Sequence, residues 1–194
     1  MKGMKEGVTR LLSAIDRREK IVVYGDYDVD GITSTSILVR CLKGMGADVG
    51  YYIPRRETEG YGLNEKALLS LRKEGYTVLI TVDCGISSAE LIARKPEGLD
   101  IIVTDHHTPP EQLPACIAVI NPHQKDCPYP YKELAGCGVA FMVARALHLA
   151  RDGVDFTDNV ELAALGTIAD VVSLTGENRI LVREGMKRFL TTSI

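Results

Sequence analysis

The chain has 194 residues, 45% apolar and 25% charged, the ordinary balance of a soluble globular protein with one sizeable core. Its 26 acidic and 23 basic residues leave a net charge of −3, which excludes gripping a polyanion by a global basic field. A nucleic acid held at a metal site stays open. No apolar run approaches the roughly 20 residues that span a bilayer, and no signal-peptide core opens the chain. Five cysteines, none in a C-x-x-C pair, argue against a disulfide framework or structural zinc and fit a reducing cytoplasm.

In chain order, residues 5–17 place Val8, Leu11, Leu12 and Ile15 at helical spacing and predict a short amphipathic helix. The apolar run 20–24 reads as a strand buried on both faces. It runs into Y-G-D-Y-D-V-D-G, in which Asp26, Asp28 and Asp30 alternate with Tyr27 and Val29 before Gly31 allows a turn. A helix over 32–45 and a strand over 49–53 follow, and residues 55–64 form a loop. Asn64 is placed to cap a helix reaching Glu74, with Leu68, Leu69 and Leu71 on or near its buried face.

A third strand, 77–82, leads into Asp83-Cys84-Gly85, and Ser87 with Glu90 forms a capping box for the next helix. Residues 100–104 form a fourth strand ending at Asp105-His106-His107, and 115–120 a fifth. Three prolines break the loop 121–135. Helices are expected over 139–150, from an Asp158/Glu161 cap to about Val172, and over 177–190.

Strands alternating with helices imply an α/β fold, a three-layer α/β/α sandwich around a five-stranded parallel sheet with further helices at the C-terminal end. Ligand sites in such sheets lie beyond the strand C-termini, where the strand order reverses. The aspartates after the first strand, Asp83 after the third and Asp105-His106-His107 after the fourth all obey that rule. If they share one site, the first and third strands are neighbours, and the order is 2-1-3-4-5.

Taken alone, D-x-D-x-D is an acidic turn solvated at the surface. Its repetition at successive strand ends favours a cation site, because crowded carboxylates resist ionising unless a cation neutralises them. Asp28, Asp30, Asp83, His106 and Asp170 are the candidate ligands. A mixed carboxylate and imidazole set suits Mn²⁺ or Mg²⁺, and two such ions can stabilise both the entering and the leaving oxygens in phosphate-ester hydrolysis.

Five motifs occur in order: Y-G-D-Y-D-V-D-G, V-D-C-G-I, T-D-H-H, A-G-C-G-V-A-F and A-L-G-T-I-A-D-V-V, with P-R-R-E-T-E-G-Y-G-L-N and G-E-N-R-I-L between or after them. Together they closely resemble the DHH phosphoesterase superfamily, and within it the RecJ single-strand-specific 5′→3′ exonucleases of DNA repair and recombination. The resemblance implies a two-metal hydrolase acting on single-stranded nucleic acid, with DNA the expected substrate. It implies that Asp28 binds the first ion, that Asp83 bridges, and that Asp30, His106 and Asp170 hold the second. Asp26 would ligate or support a ligand, His107 would contact the scissile phosphate, and Asp105 would orient the histidines.

Gly136 and Gly138 at a helix start can offer backbone N–H groups to a phosphate or simply allow close packing. Arg55, Arg56 and Tyr61 can meet the nucleic-acid backbone or stack a base, or be solvated loop residues. Enzymes of this superfamily carry a second, smaller domain that grips substrate, and RecJ proteins add an oligonucleotide-binding domain. The expectation is therefore a single metal-binding domain over 1–194, with 155–194 a helical extension leading toward domains that are missing here, and with weak activity on its own. Two other functions compete: a DHH-type oligoribonuclease, cyclic-dinucleotide phosphodiesterase or pyrophosphatase, and a catalytically inactive RecJ-like replication scaffold.

Overall fold

The computed structural model describes residues 1–189; residues 190–194, where the sequence reading ends its final helix, lie outside the described residues. Five parallel strands form one sheet in the order β2-β1-β3-β4-β5. They are β1 (Lys20–Tyr24), β2 (Asp48–Tyr52), β3 (Tyr76–Thr81), β4 (Asp100–Thr104) and β5 (Ala118–Ile120). The expected order is the observed one. The chain passes from β1 to β2 on one side and returns to β3 on the other, so winding reverses between β1 and β3.

Alternation along the strands sends apolar side chains into two cores. Ile21 and Val23 join the larger core, while Val22 and Tyr24 join the smaller. The helices α1 (Met4–Asp16), α2 (Val29–Gly44) and α6 (Gly136–Asp152) cover the first face. On the second lie α4 (Glu65–Lys73) and α5 (Ala89–Ala93). Burying each Leu or Ile of these faces contributes about 1.5–3 kcal/mol, so a sheet covered on both sides is the expected outcome of strands this apolar. Val160 and Ala163 of α7 (Val160–Ala169) and Leu181 of α8 (Gly176–Phe189) belong to the larger core too.

Several boundaries differ from the sequence reading, each for a local reason. Asp28 accepts the Gly31 N–H at 2.8 Å and caps α2, so that helix opens three residues before Ile32. Residues 55–64 are not all loop, since Arg56–Glu59 make one helical turn, α3. Asn64 caps α4 through Ala67 N–H at 2.8 Å as expected, but Leu69 faces solvent. The expected Ser87 and Asp158 caps are not formed. Ser88 (ψ 31°) and Asn159 (φ 63°) occupy those N-cap positions outside the extended region from which a side chain reaches the helix N–H groups. β5 pairs with β4 over three residues only, later than the expected start at Ala115. The helix expected to reach Val172 ends at Ala169, with Asp170 as its C-cap.

Candidate metal centre

The sheet ladder continues past the strand ends and carries the acidic residues with it. Val82 N–H bonds to Tyr24 O at 2.9 Å, and Asp105 N–H to Ile120 O at 3.1 Å. Gly31 is required here by close approach rather than by an unusual dihedral, because a Cβ would stand 2.5 Å from the Asp26 carbonyl oxygen. The three aspartates of the first motif therefore take three settings. Asp26 is buried in the loop, Asp28 is the exposed N-cap of α2, and Asp30 is buried in the first turn of that helix. They are not three positions along one strand.

Three groups of ligand atoms form beyond β1 and β3. Asp26, Asp28 and Asp83 make one; Asp30, His106 and Asp170 make another; Asp83, His106 and His107 make a third that overlaps both; within each, the atoms lie inside 4.8 Å of one another. His106 Nε2 joins the first two, at 3.1 Å from Asp83 Oδ1 and 3.8 Å from both Asp30 Oδ2 and Asp170 Oδ2. The two 3.8 Å contacts are beyond hydrogen-bond distance, and the 3.1 Å contact lacks hydrogen-bond alignment. Asp26 Oδ1, Asp83 Oδ1, His106 Nε2 and Asp170 Oδ2 are buried polar atoms without a hydrogen-bond partner. Leaving four such atoms unpaired costs about 1–3 kcal/mol each, which a shared cation would offset. Hard oxygens with one imidazole are the donor set expected for Mn²⁺ or Mg²⁺, so the residues fit the ions.

The electrostatics agree. Burial, with Asp30 and Asp28 nearby, pushes the Asp83 carboxyl up to about 7. Burial and neighbouring carboxylates also raise Asp26 and Asp170. Burial lowers His106, but Asp83, Asp30 and Asp170 outweigh it and raise its pKa to about 9. Without a cation, both shifts favour protons on Asp83 and His106.

Residues 20–167 match the DHH family, N-terminal domain. The chain belongs to the DHH family. The chain is 48% identical, over all of its length, to 24% of the single-stranded-DNA-specific exonuclease RecJ of Bacillus subtilis. A crystal structure of exonuclease RecJ bound to manganese superposes with a TM-score of 0.91 at 42% identity, covering the whole chain and 49% of that protein. RecJ from Thermus thermophilus in complex with Mn²⁺ gives 0.85 at 40% identity, over the whole chain and 28% of that protein. The domain spans about a quarter to a third of the length of the curated relatives it matches. Asp170 stands three residues beyond the matched family span, yet the fold returns it to His106.

Around the two ligand groups of this DHH domain, other side chains are held in defined positions. Asp105 Oδ1 accepts His107 Nδ1 at 2.7 Å and the backbone N–H groups of both histidines, while Oδ2 accepts Ile86 N–H. Burial opposes ionisation of Asp105, but His107 and these donors hold its pKa below the usual range. The same bond raises His107, burial notwithstanding, and leaves its Nε2 available to a ligand. Asn121, fully buried, donates to the His107 carbonyl at 2.9 Å.

The glycine motif serves the cluster from within. Gly136 and Cys137 donate their N–H groups to the two Asp30 oxygens at 2.7 and 2.8 Å, so the start of α6 is committed to a carboxylate and the Gly136 N–H is not free for a phosphate. A Cβ on Gly136 would stand 2.8 Å from Asp83 Oδ1, and one on Gly138 would stand 3.0 Å from Leu134. Both glycines permit close approach.

Beside His107 the Tyr61 ring stands nearly perpendicular to the rings of Tyr27 and His107, with centroids 6.5 and 6.4 Å apart, and the Arg56 guanidinium lies 5.5 Å over Tyr27. Arg55 is exposed and contributes a backbone N–H to Glu59. The sequence reading passed over Tyr27, Glu59 and Asn121. An aromatic residue set between two aspartates was the available signal for the first; the other two show only in contacts.

Proposed function

We propose that residues 1–194 act as the metal-binding catalytic domain of a single-strand-specific 5′→3′ exonuclease that hydrolyses phosphodiesters with two divalent cations, Mn²⁺ or Mg²⁺. The observation that carries this reading is the pair of ligand groups joined through Asp83 and His106, with four buried polar atoms lacking partners. Asp26, Asp28 and Asp83 would hold one ion; Asp30, His106 and Asp170, with Asp83 between, would hold the other. Bound there, the ions would neutralise the carboxylates and supply Lewis acidity toward a phosphate and a water.

The remaining steps belong to the protein. His107, oriented by Asp105, presents Nε2 to a phosphate oxygen and can donate a proton there. Arg56 meets the phosphate chain, and Tyr61 with Tyr27 offers ring faces and edges to an unpaired base, which suits a single strand better than a stacked duplex. The small net charge leaves grip on a long strand to parts outside this chain, so the domain alone should bind metal well and digest slowly. No helix among the described residues is long and apolar enough to cross a membrane. Five cysteines, none in a disulfide, accord with a cytoplasmic setting.

The test is Mn²⁺ calorimetry together with hydrolysis of 5′-labelled single-stranded DNA, duplex DNA, short RNA and pyrophosphate, each with and without chelator. Metal-dependent loss of 5′ nucleotides from single-stranded DNA ahead of the other substrates is the expected result. Preference for RNA or pyrophosphate moves the domain to the small-substrate phosphodiesterases, and absence of any Mn²⁺ heat with the fold intact moves it to the inactive scaffolds.

A further inference from the structure

Arg56 and Tyr61 ride on a short segment where Arg56 lies over Tyr27 and the Tyr61 hydroxyl donates to the Asp83 carbonyl at 3.4 Å. Gly60 and Gly62 flank Tyr61 at φ +78° and +75°, and nothing lies within 4 Å of where a Cβ would stand on either. Backbone of that kind is free to move unless its ends are tied. The Glu59 carboxylate and the Tyr24 hydroxyl tie them. Glu59 Oε1 accepts the Tyr52 hydroxyl and, at 3.3 Å, the Asn64 side-chain amide; Oε2 accepts the Arg55 backbone N–H at 2.8 Å.

Asn64 extends the clamp inward. Its Nδ2 donates at 3.2 Å to the Tyr24 hydroxyl, which donates in turn to the Gly62 carbonyl at 2.9 Å. Tyr24 is fully buried and stacks on Tyr52 with ring centroids 5.1 Å apart. The chain is thus gripped just before Gly60 and again at Gly62, and the grip is anchored at the C-terminal ends of β1 and β2. The Arg55 N–H and the Tyr52 hydroxyl hold the Glu59 pKa below its usual range, while burial, with Glu59, pushes Tyr52 up to about 12. The bond therefore keeps its charge-assisted form through neutral pH.

We propose that Glu59 is a positioning residue whose clamp through Tyr52 and Asn64 sets Arg56 and Tyr61 in place to receive a single-stranded substrate end. It rests on the reading of those two side chains as substrate contacts. The hydrogen bonds of Glu59 go to Tyr52, Arg55 and Asn64 and to none of the ligand groups.

The test uses Glu59→Ala, Glu59→Gln and Tyr52→Phe in the Mn²⁺-loaded 194-residue chain, with exposed Ser70→Ala as the control. For a short single-stranded oligodeoxynucleotide, KM should rise about tenfold in Glu59→Ala and a few-fold in Tyr52→Phe, with kcat changing less than KM. Glu59→Gln should fall between, because its carbonyl still accepts from Tyr52 while its NH₂ cannot accept from Arg55. Amide exchange at residues 60–62 should quicken about tenfold in Glu59→Ala by the same loss of bonds. Wild-type KM together with wild-type exchange in Glu59→Ala overturns the clamp. If the wild-type chain turns over no single strand, the functional reading fails and exchange alone decides: quickened at 60–62 supports the clamp, unchanged overturns it.

Discussion

Asp83 sits at φ 57°, in the left-handed region that asparagine and aspartate tolerate better than other side chains. That backbone, directly beyond β3, turns its carboxylate to within 3.1 Å of His106 Nε2. Strain of this kind persists where surrounding structure imposes it, and here it serves the placement of a carboxylate that belongs to one ligand group and stands beside His106 of the other. Asp83→Asn is therefore a cleaner test than Asp83→Ala: it keeps a residue that accepts the dihedral and removes only the charge. Metal-dependent turnover should fall by about 10³ or more, with the circular dichroism spectrum unchanged. Wild-type turnover would mean that Asp83 bridges nothing. Asp30 has a different setting, since its two charge-assisted bonds to the start of α6 contribute about 1.5–3 kcal/mol each and offset its burial. The acidic residues and histidines were legible as a set because their types and places after apolar runs are local facts. Which N–H groups hold Asp30 was not, because residues 30 and 136 meet only in the fold.

Helix ends do much of the positioning. α2 begins on Asp28, α6 begins against Asp30, and α7 ends at Asp170. Just past that last end Val171 has φ 60°, a conformation in which a β-branched residue is a genuine outlier, and it is 87% exposed. A helix commonly closes with glycine at such a position. Val171→Gly should stabilise the domain by about 0.5–1 kcal/mol, the relief of left-handed strain less the added chain entropy of glycine. Thermal unfolding should shift upward by about 2–4 °C per kcal/mol; a downward shift would show that the Val171 side chain stabilises the helix end. Strand existence and the Asn64 cap were legible from apolar runs and one polar residue, and strand order from the condition that the acidic residues and histidines at the strand ends share one site. The starts of α2 and α6 were not, because each is set by a bond specific to its turn or to a distant carboxylate.

Across the domain, the crowding of carboxylates makes stability depend on pH and on metal. His106 has a folded pKa of about 9, above its unfolded value, so its contribution is full below the unfolded pKa and is lost as pH rises toward 9. Asp83, raised to about 7, has the same sign: the folded state binds the extra proton, and stability falls as pH rises from the unfolded aspartate range through 7. The metal-free domain should therefore melt at progressively lower temperature between about pH 4 and 9 on these two shifts. Because ligands bind metal deprotonated, Mn²⁺ affinity should rise over the same range with proton release. Melting curves with and without chelator, and calorimetry in buffers of differing ionisation heat, measure both. A flat melting temperature and no proton release would show that the cluster is not protonated in the metal-free state.

The amino-acid sequence by itself determined the class of fold, the strand order and the kinds of side chain at each strand end. Apolar runs, helical spacing and carboxylates after strands are short-range patterns that physical chemistry reads directly. The tertiary structure decided what those side chains do to one another. The reversal of winding between β1 and β3 brings Asp26, Asp28 and Asp83 together, and the packing of α6 and α7 adds a partner for Asp30 and the carboxylate of Asp170. Such meetings depend on distances between residues far apart in the chain, and no local pattern encodes them.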